Sequence, residues 1–122
     1  MVQKFEVTGV HFEIDKQIHD YVTNKLGSLD RYIPRQSRSS AHLEILLSES
    51  KLDGKHQSIC EANLYLPHET INLKEQAASM NAAVDIVKTK LKQRIQKYKD
   101  EHANGKQRRH IIGRIRRRLS GR

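Results

Sequence analysis

At 122 residues the chain is one domain with room for an appendage, enough for one modest core and not two. A hydrophobic fraction of 36%, a mean hydropathy of −0.76, no tryptophan and no long apolar run argue against a membrane span, a signal peptide or a deep aromatic pocket. Of the 23 Lys and Arg, eight lie in residues 104–122, which hold no acid, and the other 15 face 14 Asp and Glu, so eight of the nine net positive charges belong to that tail.

In chain order, residues 3–9 alternate with Phe5 and Val7 on one face, which predicts a short strand. Asp15 offers an N-cap, and Ile18, Tyr21, Val22, Lys25, Leu26, Leu29 and Ile33 follow at helical spacing, so the first helix is expected to run to Ile33, where Pro34 stops it. The segment PRQSRSS reads as a loop. Residues 41–49 place Leu43, Ile45 and Leu47 on one face and His42, Glu44 and Leu46 on the other. Asp53-Gly54 is a hairpin turn signal. Residues 57–66 follow as a third strand, with Cys60, Ala62, Leu64 and Leu66 inward. Residues 69–76 are a weaker fourth. A long helix over about residues 79–101 buries Met80, Val84, Val87, Leu91, Ile95 and Tyr98. The predicted fold is α+β: a β-α-β-β-β-α sandwich, a four-stranded sheet with two helices on one face.

Catalytic signals are absent from this pattern. None of the seven histidines (His11, His19, His42, His56, His68, His102, His110) stands at metal-ligand spacing, so no metal or other cofactor is expected. No phosphate-cradling or nucleophile-elbow glycine motif occurs, and no small-molecule substrate is implied. Cys60, the single cysteine, cannot form an internal disulfide, which fits a reducing cytoplasm, and its apolar neighbours make it a core residue rather than a nucleophile.

Charge carries the functional signal. On the long helix Lys88, Lys92 and Lys99 fall on one flank of the apolar stripe and Lys90, Arg94 and Lys97 on the other. With tail residues Arg108, Arg109, Arg114, Arg116, Arg117 and Arg118 they suggest a basic ridge against phosphate. Ile111, Ile112, Ile115 and Leu119 recur at helical spacing within the tail, and Gly113 interrupts them, so the tail is expected to be flexible until bound.

The element order is that of the double-stranded-RNA-binding fold with one added strand, but that domain's last helix opens on lysines, and here no base precedes Lys88. A nearer likeness rests on TGVHFEI (residues 8–14), IHDYVTNKLGSLDRY (18–32) and MNAAVDIVKTKLKQRIQKYK (80–99). In this order and spacing they resemble the ribosome hibernation promoting factor family, also called ribosome-associated inhibitor A or sigma-54 modulation proteins. The resemblance implies a non-enzymatic factor that binds 16S rRNA of the small ribosomal subunit at the decoding region, in the tRNA and mRNA channel, and silences translation under stress. Lys25 and Arg31 match basic family positions in the first helix, and Lys90 and Lys97 in the second, so these four are expected to share a surface. The family's Arg-Gln pair is inverted as Gln93-Arg94, which moves that charge by about 100° around the helix. Asn81 stands where the family usually has tyrosine.

The expectation is a ribosome-binding domain over residues 1–102 and a basic tail over 103–122. No segment matches the family's C-terminal dimerisation domain, so the factor should be monomeric off the ribosome. Two other readings stay open on the residues: a generic RNA-binding module, and a regulatory protein that binds an acidic partner or an anionic membrane through the tail.

Overall fold

The computed structural model describes residues 4–102, so the expected flexible tail over residues 103–122 lies outside the described residues. Strand β1 (Lys4–Gly9) leads through a tight loop to helix α1 (Lys16–Leu26), a 3-10 segment (Gly27–Tyr32) and a single helical turn, α2 (Arg35–Arg38). Strands β2 (His42–Leu52), β3 (Lys55–Tyr65) and β4 (Thr70–Ala77) follow, then helix α3 (Met80–Glu101). The sheet order is β1-β2-β3-β4, with β1 parallel to β2 and the other neighbours antiparallel. The expected α+β architecture is the one observed.

Caps decide where the helices begin. The Asp15 carboxylate accepts from the Ile18 amide at 2.8 Å, and the Ser79 hydroxyl accepts from the Ala82 amide at 3.2 Å, each satisfying an amide that the first turn leaves orphaned. The first helix is shorter than its apolar spacing suggests. Gly27 lowers helix propensity, the Ser28 hydroxyl donates back to the Asn24 carbonyl at 3.2 Å, and the chain tightens into 3-10 geometry before Ile33. The segment expected as a loop contains α2 instead. Pro34 presets the backbone, and Arg38 holds the turn by donating to the carbonyls of Ile33 (2.9 Å) and Arg31 (3.1 Å).

The β2–β3 hairpin is longer than expected. Asp53 and Gly54 take φ of 52° and 75°, the signature of a two-residue type I′ turn, whose twist matches the flanking strands, so pairing runs to Leu52 and Lys55. At the end of β1 the glycine is obligatory. A Cβ on Gly9 would stand 1.9 Å from the Phe12 carbonyl oxygen, and the close pass it permits returns the chain toward α1.

Alternation along the strands sends Leu43, Ile45, Leu47, Cys60, Ala62, Leu64 and Ile71 to one face, where they meet Val22, Leu26 and Leu29 and the α3 stripe of Met80, Ala83, Val84, Val87, Leu91, Ile95 and Tyr98. Burial pushes the Cys60 thiol up to about 12, with the Glu61 charge adding to it, so this sulfur remains a neutral core group. The opposite face is polar: Asn63 donates to Glu44 at 3.1 Å, and Asn72 donates to Asn63. Leu91 is 0% exposed between helix and sheet, so Leu91→Ala should cost about 2–5 kcal/mol in denaturant unfolding. A cost below about 0.5 kcal/mol would be that of a surface position and would contradict this packing.

Candidate nucleic-acid interface

The α1 and 3-10 segment packs against α3, and the basic residues of the two elements meet along that seam. Lys25 lies in the last turn of α1, Arg31 in the 3-10 segment, and Lys88 and Lys92 one turn apart on α3. Lys25, Lys88 and Lys92 line one open depression of about 340 Å³ together with Asp85 and Thr89. Three lysines and a single aspartate thus share one depression.

Two tyrosines hold these cations in place. The Lys92 ammonium lies 4.7 Å from the Tyr32 ring centroid and the Arg31 guanidinium 5.0 Å from it, while Lys25 stands 5.5 Å from the Tyr21 ring. Lys92 beside the Tyr32 phenol, with Arg31, draws its pKa below the ordinary tyrosine value. Tyr21 shifts the other way, because its hydroxyl donates to Asp85 and ionisation would set two negative charges together. That hydrogen bond falls on Asp85 Oδ1, and among the described residues neither Lys25, Lys88 nor Lys92 has a carboxylate within 4 Å. A phosphate oxygen entering the depression finds ammonium donors that it need not take from another anion.

The second flank of α3 differs. Lys90 donates to both carboxylate oxygens of Glu75 on β4, at 3.0 and 3.1 Å, and Lys97 stands 3.9 Å from Glu101 one turn further along the helix. Arg94 is exposed on this side. The expected common surface of Lys25, Arg31, Lys90 and Lys97 therefore does not form. Lys90 is two positions from Lys88 and two from Lys92, about 200° around the helix from each, and it reaches the sheet edge rather than α1. Lys25 and Arg31 are joined instead by Lys88 and Lys92, with Lys99 continuing the same flank by helical spacing. Arg108, Arg109, Arg114, Arg116, Arg117 and Arg118 lie outside the described residues.

Sequence reasoning missed the part played by Tyr32 and Tyr21. The one signal available was their place beside basic residues, Arg31-Tyr32 in sequence and Tyr21 four residues before Lys25 on the same helix face. No helix among the described residues is long and apolar enough to cross a membrane.

The element order and the cation-lined seam accompany a sequence match that covers most of the body. The chain belongs to the sigma 54 modulation protein / S30EA ribosomal protein family, whose pattern matches residues 5–103. It is 26% identical over 96 residues to the ribosome hibernation promotion factor of Staphylococcus aureus (strain COL). That alignment takes in 79% of this chain and 48% of the other protein, so the chain spans about half the length of this curated relative. Among solved structures it is similar to the N-terminal domain of Thermus thermophilus Protein Y, with a TM-score of 0.60 and 29% identity over 76% of this chain and 94% of that domain. A ribosomal subunit interface protein from Coxiella burnetii gives a TM-score of 0.63 and 26% identity over 80% of this chain and 98% of that one.

Proposed function

We propose that this protein is a non-catalytic translation inhibitor of the cytoplasm, which docks on 16S rRNA of the small ribosomal subunit at the tRNA and mRNA channel and keeps idle ribosomes silent. The single observation that carries the reading is the cluster of Lys25, Arg31, Lys88 and Lys92 along one seam of a body whose family members include a hibernation promotion factor and a subunit interface protein. Occupancy and electrostatics supply the mechanism. The rigid body fills the channel, and the lysines neutralise backbone phosphates, which suits structured RNA because it is read through shape and backbone more than through base edges. The tail adds counterion-releasing charge.

Co-sedimentation of the full chain with purified small subunits tests this, with total tRNA and mRNA fragments as competitors. On this reading intact subunits retain the protein against a mass excess of free RNA, and bound protein excludes initiator tRNA. Equal competition by free RNA would reduce the protein to a generic RNA-binding module. Binding that depends on the tail but ignores Lys88 and Lys92 would make it a tail-directed regulator of another partner.

A further inference from the structure

We propose that Glu69, Glu101 and His102 form a binding site for one divalent transition-metal ion of the zinc class at the C-terminal end of α3, with water completing its coordination. The site lies away from the seam described above and stands independently of the ribosome reading.

The three residues come from two segments that the fold brings together. His68 and Glu69 sit in the turn between β3 and β4, held where the Leu66 amide donates to the Glu69 carbonyl at 3.0 Å. Glu101 ends α3, and His102 caps it, its amide donating to the Tyr98 carbonyl at 2.9 Å. One ligand atom from each of Glu69, Glu101 and His102 lies within 4.8 Å of the other two, and His102 Nε2 is 3.8 Å from Glu69 Oε1.

The rings are ordered rather than loose. Tyr98 is buried in the core, its ring 4.6 Å from that of His102 and 6.4 Å from that of His68, and the two imidazoles stack on each other at 4.7 Å and 15°. The His102 imidazole is therefore seated against a core side chain beside two carboxylates. Elsewhere His19, His42 and His56 each meet one carboxylate, and among the described residues this is the group that assembles three donors.

Charge favours an occupant. Glu69 and Glu101 bring ligand oxygens within 4.8 Å of each other, and Lys97 stands 3.9 Å from Glu101. The last carbonyls of α3 add the negative end of a long helix. A dication relieves both. The mixed nitrogen and oxygen set selects against Ca²⁺ and Mg²⁺, which take oxygen donors, and suits Zn²⁺ or Co²⁺. Tetrahedral Zn²⁺ with bonds of about 2.0–2.1 Å needs donors about 3.4 Å apart. From a largest separation within 4.8 Å the three must close by up to about 1.4 Å, which side-chain rotation of the partly and fully exposed carboxylates can supply.

The test uses the full chain, stripped of metal, titrated with ZnCl₂ by calorimetry and with CoCl₂ by visible absorption, alongside thermal melts. The expected result is saturable binding of one ion, a Co²⁺ band of low-symmetry four-coordinate intensity, and a melting temperature that rises with metal. His102→Ala and Glu69→Gln should each weaken binding by at least about tenfold, since even outer-shell partners of a metal cost 10–100-fold. His56→Ala, which removes an unrelated histidine–carboxylate pair, should leave it unchanged. Glu101→Gln, at the exposed helix end, repeats the test where folding is not in question. Absence of saturable binding, or binding that His102→Ala, Glu69→Gln and Glu101→Gln leave intact, would overturn the site.

Discussion

Reversing Lys88 and Lys92 to Glu should abolish co-sedimentation with small ribosomal subunits, whereas reversing Lys90 and Lys97 should leave most of it. The two pairs carry the same formal charge and differ in what already holds them. Lys90 gives its donors to Glu75 and Lys97 lies against Glu101, so a phosphate must compete for them. Lys88 and Lys92 share their depression with Lys25, and among the described residues neither has a carboxylate within 4 Å. Hydrogen bonds to charged groups are worth roughly 1.5–3 kcal/mol, so losing two should weaken binding by at least about a hundredfold. The melt of the Lys88/Lys92 variant should move little, because a half-buried cation–π contact such as that of Lys92 with Tyr32 contributes only about 0.5–2 kcal/mol. Unaltered co-sedimentation of that variant, or an equal loss from the Lys90/Lys97 variant, would remove the seam from the mechanism.

The second large effect concerns the tail. Deleting residues 105–122 removes every arginine of the unopposed basic run. If about six of those charges meet phosphates, the slope of log affinity against log salt should flatten by roughly 4–5 units, and the truncated body should still bind at low salt. The contrary picture is an amphipathic helix seated through Ile111, Ile115 and Leu119 on a hydrophobic surface. Under it Ile115→Asp would harm binding more than Arg116→Ala and Arg117→Ala together, and truncation would hardly move the slope. Filter binding across a salt series separates the two.

Much of the fold was legible because burial writes a period into the chain. The α3 stripe from Met80 to Tyr98 and the inward set Leu43, Ile45 and Leu47 are the buried residues observed. Where burial is weak, the signal fades. The outer part of the β2–β3 hairpin carries Lys51, Lys55 and His56, all exposed, so no alternation announced that the strands continue to the Asp53-Gly54 turn. The end of α1 was missed for another reason: Leu29 and Ile33 keep helical spacing through the 3-10 segment, so the apolar pattern runs on after the hydrogen bonding has changed.

The candidate site was legible by residue type and not by grouping. Helical geometry separated Lys88 and Lys92 from Lys90 and Lys97, yet which flank met Lys25 and Arg31 depended on how α3 lies across the sheet. Glu75, which occupies Lys90, belongs to a different element, and no local pattern links the two. The Glu69, Glu101 and His102 group is hidden in the same way, because its donors come from both ends of the β4–α3 unit.

The parallel seating of β1 sets an order of assembly. Lys4 pairs with His42 across all of α1, the 3-10 segment and α2, whereas two residues join β2 to β3. Closure entropy grows with the logarithm of loop length, so bringing β1 home costs roughly 2–3 kcal/mol more than closing the hairpin. The β2–β3–β4 meander therefore gathers first, and the strand that leaves the ribosome earliest is incorporated late. Until then the free edge of β2, with Leu43, Ile45 and Leu47 on the face beside it, offers unpaired amides and carbonyls to any neighbouring chain. During synthesis the vulnerable moment for this protein is thus the interval in which its own first strand waits for a place.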